Sequence, residues 1–183
     1  MRDGFAQTST LTIASAANVS KRELYSEFGS KEALLEACIN TRAERMRRPI
    51  RLANIADRDG LARTLIAFGT AILYEASDPA VIGVFRLAIT EAIRSPHVAR
   101  ILNQAGRESN RAALAGLLEQ AQSLHLVEPG PPEELAARFL ALLWGDLLLR
   151  LLLRVAKRPT RAEAQARARR AAEDFLKLGG LSR

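Results

Sequence analysis

One cysteine, Cys38, occurs in 183 residues, so the chain cannot close an internal disulfide and fits a reducing compartment. Histidine is nearly as scarce. His97 and His125 stand apart, and no Cys, His or carboxylate set has the spacing of metal ligands, so neither a metal nor a cofactor is expected. The chain lacks a Gly-rich phosphate loop and a nucleophile beside a base, which argues against an enzyme. Aromatic residues make up 5% of it, few segments look like strands, and no internal repeat is visible. Near the N-terminus Thr, Ser and Asn interrupt the apolar residues at 11–19, leaving no signal-peptide core, and the expected location is the cytoplasm. Residues 135–156 are long enough to span a bilayer but carry Arg138, Asp146, Arg150 and Arg154. Each of these charges costs about 2.5–3.5 kcal/mol at a bilayer centre, so no membrane role is expected.

What is present is Ala, Leu and Arg in helical patterns, with a net charge of +7 that suggests a polyanionic partner. The charge is placed unevenly: residues 1–50 carry 8 Lys and Arg against 6 Asp and Glu, and residues 151–183 carry 9 against 3. A solvated Arg-rich helix face accounts for the C-terminal excess more simply than nucleic acid does. The N-terminal pattern is more specific. Leu11, Ala14 and Ala17 recur at helical spacing, Asn18 breaks the run, and Ser20 can cap a second helix whose apolar side carries Leu24 and Phe28. This is a helix-turn-helix pattern, in which the second helix enters the DNA major groove. Its outward side chains are Lys21, Arg22, Glu23 and Tyr25.

Ser30 opens a third helix with Glu32 in its first turn; it is expected to end at Pro49 and to link the head mechanically to the rest. Cys38, among Leu34, Leu35 and Ile39, reads as a small core residue. Leu61, Leu65, Phe68 and Ile72 mark one buried helix face, and Asp78-Pro79 opens a helix expected to bury Val81, Phe85, Ile89 and Ala92. Ser95-Pro96 repeats the device for a long helix reaching about residue 124. Residues 128–132 break the chain before a leucine-rich helix expected over 133–156, apolar on both sides and therefore in need of cover on both. The last helix starts at a capping box, Thr160 to Glu163, and stops at Gly179-Gly180. Asp146 reads as an ion-pair partner of Arg150, four residues on. The expected fold is all-α: a helix-turn-helix head at 1–43, then a helical body at 44–183 whose last two helices pair with a second copy in a four-helix arrangement. Leu147, Leu151, Ala171, Phe175 and Leu178 are the expected interface residues.

The spacing of Gly4, Phe5, Thr8, Ser9, Ile13, Ala14, Ala17, Val19, Ser20, Leu24, Tyr25, Phe28, Ser30, Lys31, Glu32 and Leu34 resembles the TetR family of bacterial transcriptional regulators. Residues 84–96 and 139–153 look like the C-terminal domain of its AefR-like branch. The resemblance implies a homodimer that binds a palindromic double-stranded DNA operator, usually as a repressor. It also implies a small, often hydrophobic effector that enters the C-terminal domain and shifts the linking helix. By the same resemblance Thr10 caps the first motif helix and touches phosphate, Lys21, Arg22 and Glu23 fall where bases are read, and Tyr25 and Lys31 meet phosphate. Phe68, Phe85, Ile89, Leu118 and Trp144 are, from their helix faces, the side chains expected nearest the ligand cavity, with a plain core as the competing reading. Two departures stand out. The family has a full helix before Gly4 where three residues precede it here, so the head as written lacks its first helix and the native chain is expected to start upstream. Glu27 is an acid at a phosphate-facing position and is expected to point away. The alternative reading is a dimeric helical interaction protein that has lost DNA binding.

Overall fold

The computed structural model describes residues 18–94 and 96–178, and every described element is helical. Thr10, the first motif helix, Ser95 and the Gly179-Gly180 stop lie outside the described residues. Helix α1 spans Lys21–Phe28 and α2 spans Lys31–Arg51. Ser20 caps α1 and Ser30 caps α2, each hydroxyl accepting from the backbone N–H three residues on, at 3.1 and 3.0 Å. Gly29 closes α1 at φ +70°, a left-handed conformation that glycine adopts without Cβ cost.

Pro49 does not end α2, which continues to Arg51. Only the last turn lies beyond it, where Leu52 N–H still reaches Arg48 O at 3.1 Å, and the continuation packs Ile50 and Ala53 against the core. Helix α3, Arg58–Ala76, buries the expected Leu61, Leu65, Phe68 and Ile72 and also Thr64, Gly69, Leu73 and Ala76. It is covered on more than one side and forms the centre of the body.

Helix α4, Pro79–Thr90, starts at Asp78, whose carboxylate accepts from Ala80 N–H at 2.9 Å. Its buried face is Ile82, Val84 and Ala88 rather than the expected row. Val81 and Phe85 turn toward a cavity, and Ile89 and Ala92 are not buried, Ile89 being exposed. Helices α5, Pro96–Ile101, and α6, Ser109–Ser123, form the expected long rod, but a π-helical segment, Leu102–Glu108, joins them. Side chains donate to the carbonyls of this widened stretch: Ser109 Oγ to Ala105 O at 2.6 Å, and Asn110 Nδ2 to Gly106 O at 2.8 Å.

The leucine-rich helix expected over 133–156 is two helices, α7 at Pro132–Trp144 and α8 at Leu147–Leu152. Gly145, at φ +46° and ψ −122°, turns the chain between them. Arg167, further along the chain, holds the break open by donating Nε to Leu143 O and Nη2 to Trp144 O, both at 2.7 Å. A Cβ on Gly145 would meet that Nη2 at 2.8 Å, a contact the flexible end of Arg167 can relieve, so the positive φ is what calls for glycine at this turn. Arg86 on α4 serves the end of α8 in the same way, donating to Leu151 O at 2.7 Å and Leu152 O at 3.0 Å. No single described helix is long and apolar enough to cross a membrane, although α3 and α4, bent by 69°, pass that test as a pair by length and composition.

Helix α9, Arg161–Leu178, begins with the expected capping box: Glu163 accepts from Thr160 N–H at 2.7 Å and its own N–H donates to Thr160 Oγ1 at 3.2 Å. The small-residue row of α9 packs inside the chain rather than across a subunit seam. It faces α3 and α7, where a Cβ on Gly69 would lie 3.0 Å from both Ala168 Cβ and Leu143 Cδ1. Ala171, Phe175 and Leu151 are therefore intrachain core residues, in correction of the interface expected for them. Leu147 packs partly buried against the same core, and Leu178 alone of the five is exposed.

Candidate functional site

Two features lie along α2. At its N-terminal end is the reading helix α1. Arg22 is exposed and makes no hydrogen bond or ion pair among the described residues. Lys21 Nζ lies 5.7 Å from the Tyr25 ring centre, and Tyr25 is exposed beside it. Lys31 stands in the first turn of α2, half-buried. Glu27 is exposed.

Glu23 is placed differently from a base reader. Its carboxylate turns back to accept from Ser20 N–H at 2.7 Å, which completes the capping box of α1. The backbone N–H of Ser20, and then its hydroxyl, hold the Glu23 carboxyl below its ordinary value. A carboxylate so engaged stabilises the start of the reading helix. Phe28 is half-buried, and Leu24 is the buried residue of α1.

Further along α2 the body opens into a cavity of about 960 Å³. Helix α2 supplies one wall through Leu35, Ile39, Ala43 and Met46, spaced as one helical face. Opposite stand Val81 and Phe85 of α4, Leu140 and Trp144 of α7, and Leu148 and Leu152 of α8, so the lining is chiefly apolar. Of the expected cavity residues, Phe85 and Trp144 line it. Phe68 and Leu118 are fully buried in the core away from it, and Ile89 is exposed outside it. The reason for the difference is that Phe68 and Leu118 belong to the central core cluster, whereas the rotation of α4 turns Ile89 out.

Cys38 is exposed and lines the cavity, not the core. The spacing of Leu35, Ile39, Ala43 and Met46 is the sequence signal of the α2 wall, although a packing face on a linking helix has the same pattern. The polar lining is anchored at one edge. Arg42 pairs with Glu75 at 3.2 Å and Asp78 at 3.5 Å, and Arg158 pairs with Asp78 at 3.3 Å while lying 4.3 Å from the Tyr74 ring centre. These charges tie α2 to the corner between α3 and α4. Arg47 does the same toward α6, donating to Ser109 Oγ at 2.6 Å. The weaker Asp146–Arg150 approach, 3.9 Å and exposed, is an i,i+4 surface pair.

A reading helix at one end of a long helix, with a helical body around the rest of it, defines an all-helical DNA-binding transcription regulator. Residues 1–38 match the model of the bacterial regulatory proteins of the tetR family, and residues 63–178 match that of the C-terminal domain of AefR-like transcriptional repressors. The chain belongs to the TetR family of transcriptional regulators, with an AefR-like C-terminal domain. Among solved structures it is similar to the Flavonoid-responsive Regulator FrrA, at 30% identity and a TM-score of 0.73, over 99% of this chain and 91% of that one. A TetR regulator from Agrobacterium tumefaciens gives 28% identity and a TM-score of 0.76, over 95% of this chain and 84% of the other. A TetR-family regulator from Mesorhizobium loti shares the fold, with 23% identity and a TM-score of 0.78 over 98% and 90% of the two chains. No curated relative matches the sequence.

Proposed function

We propose that this chain is a ligand-responsive repressor that acts in the cytoplasm as a homodimer on a palindromic operator and lets go when a small, largely hydrophobic effector fills the body. The observation that carries the reading is the double duty of α2, which begins beside the reading helix and walls the cavity from Leu35 to Met46. An effector that favours a different seat for α2 alters the spacing of two reading heads, which must lie about 34–36 Å apart to engage two half-sites. Arg22 and Lys21 are assigned to base edges, Tyr25 and Lys31 to the phosphates, and Thr10 to the phosphate beside the first motif helix. Phe85 and Trp144 are assigned to the effector. The head at 1–43 and body at 44–183 divide within α2, which suits a helix that transmits its tilt. The name of the flavonoid-responsive relative supports an aromatic effector for this cavity as well.

The test is a titration of the protein against duplex DNA from upstream of its own coding region. Saturable binding that falls steeply with added salt is expected, because phosphate contacts release counterions. Binding that is absent at low salt would leave a helical interaction protein as the better reading.

A further inference from the structure

Resting on the reading of the cavity as an effector site, we infer that the cavity selects an amphipathic anion, a carboxylate on an apolar body, with its head at Arg107 and Arg111. The sign of the ligand comes from the lining. Lys31, Arg42, Arg107 and Arg111 stand on it against one carboxylate, Glu108. A cleft that carries cations on apolar walls concentrates their field, which draws in an anion and repels a cation. A carboxylate buried among apolar side chains alone is costly, so the head stays with the guanidinium groups while the body enters among Phe85, Trp144 and Leu148.

The partners inside the chain pick out which cations serve. Arg42 is matched already, since Glu75 and Asp78 hold it and Arg158 shares Asp78, a corner of two cations and two carboxylates. Arg107 and Arg111 lie one turn apart where the π-helical segment runs into α6. Arg107 is exposed and donates to a neutral acceptor, Asn103 Oδ1, at 3.2 Å. The Arg111 side chain is 41% exposed, approaches Glu108 only to 3.8 Å, and has no hydrogen-bond partner at Nε. Glu119 and Glu133 line a separate hollow beside Arg111, and neither pairs with it among the described residues. Two guanidinium groups therefore share one carboxylate, and a ligand carboxylate supplies the second through charge-assisted hydrogen bonds. This edge also bears on the linking helix: a Cβ on Gly106, next to Arg107, would lie 3.5 Å from Ile39 Cγ2 of α2.

The experiment compares biphenyl-4-carboxylate with para-phenylphenol, which keeps the biphenyl body and is neutral at about pH 7 because a phenol titrates near about 10. Both are titrated calorimetrically into the wild-type protein and into a double variant, Arg107→Gln with Arg111→Gln. The wild type is expected to bind the carboxylate about tenfold more tightly than the phenol, by a margin that shrinks with added salt. The variant is expected to bind both alike, with phenol affinity kept. Equal binding of the two by the wild type, or tighter binding of the phenol, overturns the anion and leaves the cavity reading standing. Binding of neither overturns both. A preference for the carboxylate that survives in the variant overturns the placing of the head at these two arginines. The wild-type comparison decides the sign of the ligand even if the variant does not fold.

Discussion

Phe175→Ala is expected to destabilise the protein by about 3–5 kcal/mol and to lower its melting temperature by on the order of 10 °C, read by circular dichroism. Phe175 is 1% exposed and meets Phe139 edge-to-face, with ring centres 5.7 Å apart and planes at 85°. The inner face of α9 around it is alanine at Ala164, Ala168, Ala171 and Ala172, side chains too short to move into the space that removal of the ring leaves. The transfer and cavity costs therefore both apply. A destabilisation below about 1 kcal/mol would place Phe175 on a surface instead.

Arg22→Ala is expected to weaken operator binding by about 1–3 kcal/mol, or about 5- to 150-fold, and to relax the preference at one base pair. Because Arg22 makes no hydrogen bond or ion pair among the described residues, the melting temperature should not change. Lys31→Ala supplies the contrast. Removing a cation from a phosphate weakens binding to all sequences alike and flattens the salt dependence. If Arg22→Ala behaves in that uniform way across a set of operator variants, Arg22 serves a phosphate as well.

Where helices begin was legible in the sequence because caps are local. Ser20, Ser30, Asp78 and Thr160 each cap the helix their side chains suggest, over bonds of two or three residues' span. What was not legible depends on distant partners. The break at Gly145 is held by Arg167, and nothing near Gly145 in the chain announces that arginine. A helical face also does not say what covers it: the row through Ala171 and Phe175 packs on its own chain's α3 and α7, though its pattern alone fits a second copy equally well. The cavity eluded the pattern for a related reason. Val81 and Phe85 are apolar like core residues, but one step of rotation in α4 gives the core to Ile82 and Ala88 and turns Val81 and Phe85, with the buried Val84, onto the cavity. At the head, the family resemblance pointed to Glu23 as a base reader, and its capping role lay in the Ser20-x-x-Glu23 spacing.

In the function proposed for this chain, α2 links the occupancy of the cavity to the grip of the head. It is tested most directly by measuring, with fluorescence anisotropy, the affinity for the upstream duplex with and without saturating para-phenylphenol. DNA affinity is expected to fall on the order of 5- to 150-fold, and DNA to lower affinity for the phenol by the same factor, since linkage is reciprocal. Identical DNA affinity with the cavity empty and filled would contradict it.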